Sequence, residues 1–202
     1  IGHVHLKVAD LERALGFYCG VLGFEVTQRL SSGAAFISAG GYHHHIALNT
    51  WESKGGHPPA PGTTGLFHAA ILYPTRPALA DALHRVLQAG IALDGASDHG
   101  VSEALYLRDP DQNGVELYWD RPREVWEGQV ADRMTTMALD VDSLLGELAD
   151  PRSGSFERLP AGTVMGHVHL KVAGIAETVA FYRDVLGLGL MGTGMARRLL
   201  GA

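Results

Sequence analysis

Eleven histidines are spread unevenly over the 202 residues. Two pairs, His3/His5 and His167/His169, sit in the same octapeptide, Gly-His-Val-His-Leu-Lys-Val-Ala, and three more form the triplet His43-His44-His45 in Tyr-His-His-His-Ile-Ala. Imidazole titrates near neutral pH and is the commonest metal ligand, so these runs point to metal binding, proton transfer or both. His68 (Leu-Phe-His-Ala-Ala) and His99 (Ser-Asp-His-Gly) stand apart from them, and Glu116 closes the run Asp-Pro-Asp-Gln-Asn-Gly-Val-Glu. His57 lies in a proline loop and His84 on the polar side of an amphipathic helix; neither needs a functional account.

The elements that position these residues are repeated. Ile1 to Val26 and Met165 to Leu190 align without gaps, sharing GHVHLKVA, FY and VLG. This is a duplicated supersecondary unit whose apolar face needs a neighbouring copy to cover it. Each copy starts as an alternating strand, and a helix follows with Leu11, Leu15, Tyr18 and Leu22 on one face, Asp10 as N-cap and Gly23 at the C-cap. Strands are expected at 24–30, 34–38 and 43–49, completing β-α-β-β-β. Alternation on the last of these sets His43, His45 and Ala47 on one face and His44 on the other.

A diverged unit follows the Gly/Pro-rich connection 54–65: a strand at 66–73, a helix from Pro77 with Leu79, Leu83, Val86 and Leu87 inward, and strands at 91–94, 103–108 and 115–119. Residues 1–50 and 65–120 thus form paired modules, with 121–164 read as linker despite a short strand at 135–139 and a short helix at 142–148. Residues 165–202 form an incomplete third module, without third or fourth strands. With no Met before Ile1, residues outside these 202 are expected to complete it.

Composition narrows the class. Net charge is −6, which argues against a broad nucleic-acid footprint. The single cysteine, Cys19, excludes a disulfide scaffold and favours a reducing compartment. No segment reaches the length of a membrane span, so a cytoplasmic protein is expected. The 26 glycines exceed the roughly 14 of average usage and fit a strand-rich chain with many turns.

GHVHLKV with FY..VLGF on a first strand and helix, and DPDQNGVELYW closing the second unit, resemble the vicinal oxygen chelate superfamily, which includes glyoxalase I, bleomycin-binding proteins and type I extradiol dioxygenases. The stretches YHHHIALNTW and GASDHGVSEALYLRDPDQNGVELYWDRP are most similar to its catechol 2,3-dioxygenase-like branch. The resemblance implies an α+β fold in which paired β-α-β-β-β modules form an open, cup-shaped sheet around one metal. It places the ligands at His3, His68 and Glu116, with which strand parity agrees. Two imidazoles and a carboxylate suit Fe(II), and also accept Mn(II).

By the same resemblance Ala47 faces the metal, which turns His43 and His45 inward; His45 is the acid-base catalyst, Tyr106, ten residues before Glu116, contacts substrate, and His99 is a second substrate-site histidine. The glyoxalase pattern needs a carboxylate where Ala47 stands, which weakens an isomerase or thiol-transfer reading. A metal-free protein that sequesters an aromatic compound is the third alternative. The expected partners are a small aromatic diol and O2, with neither nucleic acid nor membrane. His167 and His169, lacking a fourth unit, are expected to form no second metal centre, and apolar strand surface on the third module calls for a partner chain or further residues to cover it.

Overall fold

The computed structural model describes residues 1–127, 135–148, 158–193 and 198–201. Two curved sheets organise them. In the first module β1 (Val4–Lys7), α1 (Leu11–Leu15, continued by a wide helical turn Gly16–Val21), β2 (Glu25–Leu30), β3 (Ala34–Ser38) and β4 (Ile46–Asn49) build a sheet of order β1-β4-β3-β2. The second module contributes β5 (Gly65–Leu72), α2 (Arg76–Gln88), β6 (Leu93–Asp98), β7 (Ser102–Arg108) and β8 (Gly114–Asp120). Its sheet also takes β9 (Met137–Ala138) on one edge and, on the other, β10 (Val164–Lys171) from the third module, in the order β10-β5-β8-β7-β6-β9.

Local chemistry accounts for the element ends. Asp10 caps α1 by accepting from the Arg13 N–H at 2.9 Å, and Thr75 caps α2 by accepting from Ala78 at 3.2 Å, with Pro77 in the first turn. Gly23 and Gly90 end the two helices at positive φ, +92° and +68°. Leu15, Tyr18 and Leu22 are buried as the periodicity requires, as are Leu79, Leu83 and Val86, whereas Leu87 turns outward. Gly40 and Gly41, both at positive φ, bend the chain into a turn. The last strand of the module therefore begins at Ile46 rather than residue 43, and the expected inward His43 is exposed.

The stretch read as linker is partly core: Leu139, Leu144 (on α3, Val141–Leu145) and Leu159 are buried in the main cluster. The third module also departs from expectation. After α4 (Ile175–Ala180), β11 (Gly189–Thr193) pairs antiparallel with a further strand, β12 (Arg198–Gly201). Among the described residues no helix is long and apolar enough to cross a membrane.

One buried bond joins the first module to the second. The Tyr18 hydroxyl donates to Asp109 Oδ2 at 3.0 Å, and Asp109 also accepts from the backbone of Asp111 and from Asn113 in the β7–β8 turn. Replacing Asp109 with Ala orphans all these donors and should lower unfolding free energy by about 2–4 kcal/mol, while Tyr18→Phe should cost about 1 kcal/mol, both read by urea titration.

Candidate metal centre

A strand presents alternate residues to one face, and four strands of the second sheet use that rule to line one cleft. β5 offers His68 and Ala70, β8 offers Glu116, Tyr118 and Asp120, β7 offers Ala104 and Tyr106, and β10 offers His167 and His169. Register makes them neighbours: Ala70 lies opposite Glu116, Glu116 opposite Tyr106, and His169 opposite His68. The cleft measures about 390 Å³. Beneath it Ala70 and Ala104 are fully buried and pack with Tyr118 and Tyr106.

Three ligand-bearing side chains converge there. His68 Nε2 and His167 Nε2 lie 2.9 and 3.0 Å from the same oxygen of Glu116, Oε2, and ligand atoms of the three residues all fall within 4.8 Å of one another. Glu116 is 4% exposed. Burial alone would raise its carboxyl, but the two imidazoles facing it outweigh that and hold it at about 2. His68 Nε2 is buried, and its 2.9 Å approach to Glu116 Oε2 is a close contact without the alignment of a hydrogen bond. Such an atom, aimed with a second imidazole at an ionised carboxylate, fits a divalent cation, and the donor set suits Fe(II) or Mn(II).

The adjoining pair is polar and aligned. His99 Nδ1 is 2.8 Å from the Thr135 carbonyl, which can only accept, so the neutral ring carries its proton there. His99 Nε2 is then free to accept from the Tyr106 hydroxyl at 2.8 Å, and that hydroxyl lies 3.3 Å from Glu116 Oε1. Further along β8, burial and the Glu116 charge push the Asp120 carboxyl up, partly offset by His167.

The expected residues divide. His68, Glu116, Tyr106 and His99 are brought together. His3 is not: β1 belongs to the first sheet, and the His3 ring packs against His44 at 4.4 Å between centroids. The position beside β5 is filled instead by His167, the repeat copy of His3, for which the sequence predicts no metal. His45 also remains in the first sheet, where its Nδ1 accepts from the Ala39 N–H at 3.2 Å and sits 3.1 Å from Ser38 Oγ. The signal for His167 is present in the duplicated octapeptide, which marks two strands as equally fit for one place.

Two glycines allow the close approach. A Cβ on Gly114 would meet the Phe67 carbonyl oxygen at 1.9 Å, and one on Gly166 would meet the Tyr118 hydroxyl at 1.8 Å. Gly114→Ala should therefore separate β8 from β5 and weaken divalent-metal binding about 10- to 100-fold, measured by titration with Co(II).

His45 generates a different expectation. Burial lowers its pKa below the ordinary 6.5, and the neighbouring His43 and His44 push the same way. The unfolded chain then binds more protons than the folded one, so stability should fall as pH drops through about 6.5 toward the folded-state value. His45→Gln should flatten that slope in urea titrations run from pH 8 to 5.

Residues 1–117 match the model of the Glyoxalase/Bleomycin resistance protein/Dioxygenase superfamily. The chain is 44% identical over 197 residues to catechol-2,3-dioxygenase of Bacillus subtilis (strain 168), covering 95% of this chain and 66% of that protein. It is 33% identical over 141 residues to biphenyl-2,3-diol 1,2-dioxygenase 3 of Rhodococcus globerulus, covering 67% of this chain and 73% of that one. It therefore spans about two thirds of the length of these relatives. Among solved structures, a glyoxalase/dioxygenase from Nostoc punctiforme matches with TM-score 0.50 at 21% identity, over 60% of this chain and 91% of its own, which speaks to the fold alone. With the matched model spanning more than half its length, the chain belongs to the glyoxalase/bleomycin resistance protein/dioxygenase superfamily.

Proposed function

We propose that this chain carries the centre of a type I extradiol dioxygenase, which opens a catechol-type ring with O2 beside its two hydroxyls, and that Fe(II) is held by His68, Glu116 and His167. The observation that carries the reading is the meeting of those three side chains on one cleft face beside the Tyr106–His99 pair. The names of the relatives, a catechol and a biphenyl-diol dioxygenase, support the substrate class. Bound Fe(II) would supply adjoining positions for both diol oxygens and for dioxygen, together with a route for electrons between them.

The chain's own groups supply the rest. The cleft of about 390 Å³ between Tyr106, Tyr118 and the histidines has room for a flat ring. A diol hydroxyl that loses its proton needs a base within hydrogen-bond reach, and Tyr106 with His99 forms a relay: the phenol oxygen takes the incoming proton as its own passes to His99 Nε2. The resulting imidazolium keeps its Nδ1–H on the Thr135 carbonyl, and the same path in reverse returns a proton. In this reading His99 takes the role expected of His45.

Anaerobic loading with Fe(II), followed by air and a panel of catechols, tests the proposal through oxygen uptake and the yellow absorbance of a ring-fission product. Tyr106→Phe should keep the metal and lower kcat by about 10²- to 10⁴-fold. His68→Ala should lose the metal and the activity together. Iron bound at one per chain with no oxygen uptake on any catechol overturns the dioxygenase reading. Catechol binding that survives His68→Ala points instead to metal-free sequestration.

A further inference from the structure

Three residues of β8 line the cleft at alternate positions, and the third of them, Asp120, has no part in the chemistry proposed above. It lies four positions beyond Glu116, about 13 Å along the strand. Tyr118, between the two, is 7% exposed and leans across the sheet until its hydroxyl lies over Gly166, so it forms floor and not barrier. Ser102 stands directly opposite Asp120 in the β7–β8 register, and Val101 and Thr136 complete this end of the cleft.

The charge pairing around Asp120 leaves it out. Among the described residues its half-buried carboxylate forms no ion pair and accepts no hydrogen bond. Arg121, the next residue, is committed to Asp98 at 2.8 Å and to Glu103 at 3.1 Å. His167 is the one group that acts on Asp120 as a positive charge, and Glu116 already holds it at 3.0 Å. Neither Lys nor Arg is among the described residues that line the cleft, which therefore presents two carboxylates and no permanent cation. Keeping a carboxylate unpaired and partly out of water is costly, and one kept so beside a ligand cleft finds its partner on the ligand.

We propose that Asp120 selects the substituent on the diol: the ring carries a cationic arm, a primary ammonium on two or three carbons, which binds the Asp120 carboxylate and the Ser102 hydroxyl. With the diol held at the His68, Glu116 and His167 cluster, the arm runs along β8 over Tyr118 and ends at Asp120. A carboxylate arm of the same length is rejected, because it sets like charge against Asp120 with no cation to offset it. An uncharged arm falls between the two, since it fills the same space and gives Asp120 at most a neutral hydrogen bond. This assignment deepens the dioxygenase reading above and rests on it.

Anaerobic calorimetry on the Co(II)-loaded chain tests it with three catechols that differ only in the arm para to one hydroxyl: 2-aminoethyl, 2-hydroxyethyl and carboxymethyl. The ammonium arm should bind about tenfold more tightly than the hydroxyl arm, and the carboxylate arm about tenfold more weakly. Asp120→Asn should bring the ammonium and hydroxyl arms to within about threefold of each other, whereas a merely structural fault weakens all three catechols together. In the unaltered chain, raising NaCl from about 0.05 to about 0.5 M should narrow the ammonium preference and leave the hydroxyl-arm affinity in place, a test that does not depend on how the variant folds.

Equal affinity for the ammonium and hydroxyl arms in the unaltered chain, or tightest binding of the carboxylate arm, overturns the assignment and leaves the dioxygenase reading standing. An ammonium preference that survives Asp120→Asn unchanged, or that added salt does not narrow, overturns it as well. Failure of all three catechols to bind overturns both.

Discussion

A carboxylate taken out of water must be compensated, and Glu116, 4% exposed in the middle of a sheet, imposes that condition on everything around it. An unpaired buried charge costs several kcal/mol, more than most single packing contacts supply. Here the compensation comes from imidazoles on strands to one side of β8: His68 on β5 at its edge, and His167 one strand further out. The approach of β8 to β5 depends in turn on Gly114, where no side chain could fit against the Phe67 carbonyl. Two imidazoles and one anion converge on a common point, with the His68 contact poorly aligned for a hydrogen bond, and that donor set suits a cation better than a finished ion pair.

A network of charged side chains holds the open end of the same sheet. Arg76 on α2 binds Glu103 at 2.8 Å and Glu147 at 2.6 Å, and Arg121 binds Glu103 at 3.1 Å and Asp98 at 2.8 Å. These pairs fasten the ends of β6, β7 and β8 to the segment after the sheet, which also supplies the Thr135 carbonyl to His99. The orientation of His99, and so the direction in which Tyr106 can pass a proton, is set by residues well beyond the paired modules. That stretch has the weakest pattern in the sequence because its order comes from side chains on other elements and not from a periodicity of its own.

What can be read from the residues alone is whatever local alternation decides. Glu116 and Tyr106 fall on one face because strand parity and the short β7–β8 turn fix them, whereas His68, across the non-local β5–β8 pairing, is placed by the family resemblance. The helix caps at Asp10 and Gly23 and the inward Leu79, Leu83 and Val86 follow from the same local rules. Alternation misplaces His43 because residues 43–45 lie between the Gly40-Gly41 turn and the start of the strand at Ile46, outside its regular pleat. Leu87 lies just outside the buried stripe of its helix, one position beyond where the apolar pattern extends. His3 and His167 cannot be separated at all: two identical octapeptides have the same strand propensity and the same faces, and which of them lies beside β5 depends on contacts distant in sequence.

The Phe-Tyr segments of the first and third modules make the same point from the other side. Both copies fold into the same wide turn, with Leu22 donating to the Phe17 carbonyl at 3.0 Å and Leu186 donating to the Phe181 carbonyl at 3.3 Å. The local conformation is thus written in the residues and appears twice. Burial is not, for Tyr18 is enclosed and bonded to Asp109 while the second copy's Phe181 and Val185 face outward. A duplicated unit carries its shape in its own sequence and its stability in its partner, so the copy that finds fewer partners is held mainly by its first strand. That strand is β10, and its grip on β5 is the link through which the third module contributes an imidazole to a site otherwise built by the second.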